Sequence, residues 1–342
     1  MLHRYRALFL ALSAAILLLL AYTAWWAALA GRVRTVLTEA PGKALAENGI
    51  VLDLRDPVVA GFPLSLTVDL SGLRAQWPSG TILELGPLAA HAFAWNPSEI
   101  HVTAAAPLRL DLAGSARHAT ISGTASGLTG TVNLGLDGQP LLVTASLSAL
   151  GALANARWEA AMATITWTAP AQPPGGPTDP QGQVSLLVRD LDLPGRVPAP
   201  LSRRIEQVSL SYEPRGPLPA KPSVEGMTAW RDGGGTVEIL GARVLWSGMD
   251  LRAKATLALD RQMQPEGAGA AELSGGQTLI DMLAQNGGMQ TEQAAAMKAA
   301  LSTLSKRTDD GRDVLQVPVT LQNSRLFVGP LQVATLPPIP WN

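Results

Sequence analysis

The side chains able to do chemistry are few, and their spacing does not favour it. There are four histidines in 342 residues. His3 precedes a long apolar run. His91, His101 and His118 are scattered, without the paired spacing or adjacent carboxylate that a metal centre requires. His91 alternates with Phe93 and Trp95, which marks it as a side chain on a sheet face. Asp309, Asp310 and Asp313 cluster around Gly311, but the terminal bidentate glutamate of a calcium loop is missing, so the cluster reads as a solvated loop. Gly233-Gly234-Gly235 is not followed by the helix and lysine of a phosphate loop, and it reads as a hairpin turn. G-x-S-x-G, Walker A, H-E-x-x-H and EF-hand patterns are absent from the sequence. With zero cysteines, disulfides, thiol catalysis and thiolate-bound metals are excluded. The sequence thus predicts no enzyme, no metal site and no cofactor.

The nine tryptophans are the remaining chemical signal. Trp77, Trp95, Trp158, Trp167, Trp230 and Trp246 fall in or beside strand patterns. Two readings fit them. One is an ordinary core; the other is a sheet whose concave face is apolar and unfilled, able to hold an acyl chain. On the second reading the candidate lining is Phe62, Leu64, Leu66, Trp77, Phe93, Trp95, Trp158 and Trp246.

The elements that must position these residues begin with Ala7 to Ala30, an apolar run without a charged residue. At 1.5 Å per residue it reaches roughly 36 Å, enough to cross a hydrocarbon core of about 30 Å. Arg4 and Arg6 precede it, which keeps the N-terminus cytoplasmic and sends the remainder across, although Arg32 and Arg34 follow on the far side. Tyr22, Trp25 and Trp26 lie near that far end, where amphipathic rings favour the headgroup level. A cleaved signal peptide is the competing reading, with Ala28-Leu29-Ala30 before Gly31 as its cleavage site. Both readings export the chain. Residues 1–31 are thus an anchor or signal peptide, and 32–49 a helical stalk interrupted at Pro41-Gly42 and stopped at Gly49.

From Ile50 the apolar period changes from 3.6 to 2. Phe62, Leu64, Leu66, Val68 and Leu70 alternate with polar or small residues, as do Leu108, Leu110 and Leu112. Val132 and Leu134 run into the hairpin signal Asp137-Gly138, and Leu141, Val143, Ala145 and Leu147 return from it. No long helical pattern separates these strands, so residues 50–168 predict a first antiparallel β half. Residues 169–183 hold five prolines and three glycines, and form either an inter-domain linker or a long loop within one sheet. A second β half follows over 184–342. Helical periodicity returns only over 277–306, where Leu279, Ile280 and Leu283, then Met297, Leu301 and Leu304, make two stripes of a helical hairpin. Net charge is −1, which gives no argument for nucleic acid or an anionic surface.

Four features carry a family resemblance: the anchor with its tryptophan pair; Gly61-Phe62-Pro63-Leu64; Val244 to Leu251 followed by Leu257-Ala258-Leu259-Asp260; and the ending from Leu315 through Val328-Gly329-Pro330-Leu331 to Pro338. Together they resemble the alphaproteobacterial domain-of-unknown-function family 2125. The pattern is in turn similar to AsmA-like envelope proteins. This resemblance implies a long curved antiparallel sheet, open or groove-forming, and a bacterial inner-membrane protein, single-pass, with the bulk of the chain in the periplasm. Two functions follow as expectations. One is a lipid-binding or lipid-transfer module handling phospholipid or another envelope lipid. The other is a non-enzymatic structural or assembly factor that binds an envelope protein through a sheet edge or the helical hairpin. Ala7–Ala30 would supply the membrane contact in both.

Overall fold

The computed structural model describes the chain apart from residues 1, 113–120, 154–155, 177, 198–200, 220–222, 308–312, 330, 340–342 and most of 277–304. Among the described residues the protein is mainly antiparallel β with one long N-terminal apolar helix. It divides into two compact units: Met1–Pro140 with Ala152–Asn155, and Leu141–Gly151 with Ala156–Asn342.

The first unit opens with α1 (Leu2–Asn48), which runs on through Pro41. The interruption expected at Pro41-Gly42 does not occur. A proline removes one N–H from the helical ladder, a local loss that leaves the turns on either side able to hydrogen-bond. The helix stops where Gly49 takes a positive φ of 65° and donates its N–H to Leu45 O at 3.0 Å.

Eight strands follow: β1 (Val51–Arg55), β2 (Val58–Ala60), β3 (Ser65–Leu70), β4 (Gly72–Gln76), β5 (Ile82–Leu85), β6 (Leu88–Phe93), β7 (Asn96–Leu112) and β8 (Ile121–Leu134). Two ladders meet on the long strand β7. In one, β2, β3 and β6 lead to its first half. In the other, β1, β4 and β5 lead to its second half.

Register sorts the side chains of each ladder into an apolar and a polar row. Leu66, Ala92 and Ile100 are directly paired, and so are Leu70, Leu88 and Ala104. In the other ladder Leu54, Leu73, Leu85 and Leu108 are paired across four strands. The alternate row there reads Asp53, Arg74, Glu84 and Arg109, opposite charges facing one another strand by strand.

A register shift between Ala105 and Leu108 separates the two ladders on β7. The apolar partners on β8 change there from Leu128, Gly130 and Val132 to Gly123 and Ala125. Alternation puts those two sets on opposite faces of β8, so the apolar row crosses the sheet at the bulge. Leu66, Leu70, Ala75, Ala92, Ala104 and Leu108 are buried in this unit.

In the second unit Leu141–Gly151 belongs to β9 (Pro140–Leu153), and β10 (Arg157–Thr168), β11 (Gln183–Asp192) and β12 (Arg204–Arg215) follow in a meander. Residues 169–182 are a loop between the paired strands β10 and β11, not a linker between units. The Asp179 carboxylate caps this loop by accepting the N–H groups of Gly175 and Gly176, at 2.9 and 2.7 Å. Those two hydrogen bonds favour the ionised form and lower the Asp179 pKa.

A helix that the periodicity did not predict comes next, α2 (Val224–Asp232). The Ser223 side chain caps it by accepting the Gly226 N–H at 3.2 Å. The Gly233–Gly235 turn therefore joins a helix to β13 (Thr236–Trp246) instead of closing a hairpin. Strands β14 (Met249–Leu259), β15 (Pro265–Ser274), β16 (Lys306–Arg307), β17 (Asp313–Gln322), β18 (Arg325–Val328) and β19 (Leu331–Thr335) complete the unit.

The expected helical hairpin over 277–306 lies mostly outside the described residues. Ile280, Asp281, Ala284, Glu292, Gln293, Ala295, Lys298 and Ala299 have helical backbone, while Lys306 belongs to a short strand paired with β17.

Candidate functional site

The register of the second unit builds one apolar face strand by strand. Ile165, Leu186, Leu210, Ala242, Ala253, Ala271 and Val317 form one continuous paired row from β10 to β17. Ala163, Val188, Val208, Val244, Leu251, Leu273 and Leu315 form the next. Unlike the first unit, the row does not change sides. The shifts at Ser211/Tyr212 and in β13 around Leu240 leave it on one face.

Close approach of β14 and β15 is made possible by Gly267 and Gly269. A Cβ at either position would lie 2.1 Å from a carbonyl oxygen of β14. Among the described residues none of the apolar side chains on β10–β13 is buried. Ile165 is 48% exposed, and Leu251 on β14 is 40% exposed.

The opposite face carries hydroxyl and charged side chains. Near β9 and β10 it carries a hydroxyl ladder, with Ser146 and Thr164 oxygens 2.9 Å apart and Ser185 and Ser211 oxygens 3.0 Å apart. Further on, Asp250 binds Arg243 through both carboxylate oxygens at 2.8 and 2.9 Å, and Arg252 at 2.9 Å. Arg243 first, and then Arg252, hold the Asp250 carboxyl at about 2 against the opposing effect of desolvation. Two shallow concavities of about 560 and 370 Å³ open on this face, the larger lined by Arg243, Arg252, Lys254 and Glu272 and the smaller by Thr166, Ser185 and Ser211.

The eight candidate lining residues are divided between the units. Phe62 and Leu64 sit in the loop between β2 and β3, where Phe62 packs against α1. Phe62 lies 5.3 Å from the Trp26 ring, edge-on, and 6.5 Å from Tyr22. Leu66 is buried on the apolar row of β3. Phe93 pairs with Ser65 and so occupies the other face from Leu66. Its ring stacks on Trp95 at 4.9 Å beside the β6–β7 turn. Trp77 follows β4 and donates its backbone N–H to Thr81 O at 2.9 Å. In the second unit Trp246 shares the parity of Val244 on the apolar face, and its Nε1–H donates to Ser202 O at 2.8 Å. Trp158 falls on the opposite face, with Ala160 and Met162. In the first unit, then, Phe62 meets the helix and Phe93 meets Trp95, but the six residues do not line one groove.

His91 and His101 stack at 5.0 Å across β6 and β7, with Glu99 Oε1 3.4 Å from His101 Nε2. Among the described residues no three His, Asp or Glu side chains converge on a metal-sized site. His118 and the Asp309–Gly311 cluster lie outside the described residues.

Periodicity missed two features that matter here. The first is Trp230, which is not a strand residue but the buried side chain of α2, where its Nε1–H donates to Arg215 O at 2.9 Å and its ring packs on Gly235. The capping signal Ser223-x-Glu225 and the glycines after Asp232 could have revealed the helix. The second is β15, whose Gly-Ala-Gly-Ala-Ala run carries no bulky alternation for a period-2 search to detect.

Among curated proteins and solved structures no match is found. A family model described as an uncharacterised protein conserved in bacteria, DUF2125, matches residues 26–337. With every strand from β1 to β19 and the second half of α1 inside that match, this chain belongs to the DUF2125 family.

Proposed function

We propose that this protein is a lipid-binding or lipid-transfer module of the bacterial cell envelope, held in the inner membrane by α1 with its β units on the periplasmic side. The observation that carries the reading is the apolar face of the second unit, continuous in register from β10 to β17 and unburied over β10–β13. Exposed apolar surface costs about 25 cal/mol per Å², and a contiguous patch of several hundred Å² on a soluble domain marks a surface with an occupant. Acyl chains satisfy the rows from Ile165 to Val317 and from Ala163 to Leu315 without polar partners. The length and apolar character of α1 support membrane attachment: its span over Ser13–Ala46 is almost entirely unburied. AsmA-like proteins combine the same kind of anchor with a β body, which is the analogy behind lipid traffic as the process.

The test is photocrosslinking from the face itself. Benzoyl-phenylalanine at Ile165 or Leu251 in the full chain, irradiated in intact cells, is expected to give adducts with the mass of an envelope lipid. The same group at Ser209, on the polar face, is expected to give none. Adducts of protein mass at Ile165 would replace the lipid carrier with the assembly-factor reading. No adduct at either apolar position would remove the carrier reading.

A further inference from the structure

Three aromatic residues of α1, Tyr22, Trp25 and Trp26, lie within about one turn of each other, and the β2–β3 loop is fastened to Tyr22 and Trp26. The Tyr22 hydroxyl donates to Pro63 O, and Trp26 Nε1–H donates to Ser65 O at 2.9 Å. Phe62 rests against both rings. Gly61 makes this conformation possible: its φ is +105°, and a Cβ there would stand 2.7 Å from Ser65 Oγ. The loop is therefore held at the axial level of residues 22–26 of the helix.

That level can be compared with the water boundary on the same helix. On the N-terminal side, Ile16 to Leu20 are all exposed, Leu18 at 71%, and carry nothing but hydrocarbon. On the C-terminal side, Arg32 and Arg34 require water or headgroups, and Arg34 donates to Val59 O at 3.3 Å. Leu20 to Arg32 covers about 18 Å of helix axis, enough to contain the end of the hydrocarbon core and an interfacial layer of about 5–8 Å. Phe62 docks in the apolar half of that bracket. Around it the surface is apolar: Phe62 is 49% exposed, Leu64 63% and Trp25 43%. Aromatic rings with one wet and one apolar edge favour this depth.

We infer that the Gly61–Leu64 loop is a second membrane contact, with Phe62 and Leu64 inserted into the interface of the lipid leaflet from which α1 emerges. The partner is the lipid surface itself. The contact would fix the depth of the first unit, which a single helix leaves free to bob and rotate. This inference rests on the reading of α1 as membrane-spanning.

The chain has zero cysteines, so a single introduced thiol carries the only label. Nitroxide-labelled Leu18→Cys, Phe62→Cys, Leu64→Cys and Ser79→Cys full chains would be reconstituted into phosphatidylethanolamine–phosphatidylglycerol vesicles. Accessibility to oxygen, which partitions into lipid, would be compared with accessibility to a water-soluble nickel chelate. Oxygen is expected to dominate at 18, 62 and 64, and nickel at 79 in the Trp77–Thr81 turn. Leu64→Cys carries the decision if Phe62→Cys disturbs the aromatic packing, since the Leu64 side chain is largely solvent-facing. Oxygen dominance at 18 with nickel dominance at 64 would overturn the loop contact and leave the anchor standing. Nickel dominance at 18 would overturn the anchor reading and the loop contact with it.

Discussion

The two β units treat the same alternating pattern differently. In the first, the apolar row crosses β8 at the Ala105/Leu108 bulge, and residues from both ladders, Leu66 and Leu108 among them, end up buried. In the second, the row holds one face over seven strands, and the β10–β13 part of it buries nothing among the described residues. Alternation makes a sheet two-faced in both cases. Where the apolar side changes faces decides whether that side is shared between ladders or left facing outward.

The largest test of this contrast is a pair of truncations. Leu66→Ala or Leu108→Ala is expected to cost about 2–5 kcal/mol of local stability. It would be measured as loss of amide-exchange protection in β3, β6 and β7. A loss as small as that of a surface substitution would break the claim that the first unit has a core. Next, Gly61→Ala is expected to cost about 1–3 kcal/mol, through the positive φ and the clash with Ser65. Its readout is faster amide exchange at Ser65 and loss of the Trp26–Ser65 hydrogen bond, with β10–β13 unaffected.

A smaller effect belongs to the polar face of the second unit. Asp250 titrates at about 2 in the folded protein against an ordinary 3.8, so its stabilisation is full above about pH 4 and is lost as pH falls through about 2. Asp250→Asn is expected to cost about 1–2 kcal/mol at pH 7 after allowance for partial solvent access. It should also flatten the acid limb of a stability–pH profile followed by β13–β14 exchange. An unchanged acid limb would remove Asp250 as its source. The smallest stability change is expected at Ile165→Thr, within about 0.5 kcal/mol, because the side chain is already half exposed. A cost comparable to Leu66→Ala would mean that the face is covered, and would bring the two units into line.

Alternation in Leu66 to Leu70 and Leu108 to Leu112, turn chemistry at Asp137-Gly138 and the apolar run Ala7–Ala30 were legible from residue types, because each is set by neighbours within a few positions; Phe62 and Leu64, read into the same strand, lie in the loop before it. The same search missed β15 and most of β8, whose Gly, Ala, Ser and Thr residues form strands because their partners dictate it. It also placed Trp230 in or beside a strand pattern, since a nine-residue helix offers too few turns for a 3.6 period to stand out.

By itself the sequence determined that this chain is mainly antiparallel β behind an apolar helix, since period and length follow from local side-chain order. It could not determine which aromatic residues meet. Phe62 and Phe93 belong to the same alternating β region, yet one packs on α1 and the other on Trp95. The turn at Gly61, which brings Phe62 to the helix, and the register of β3 against β6, which puts Phe93 on the other face from Leu66, decided that, because a one-residue shift in pairing moves every side chain beyond it to the other face.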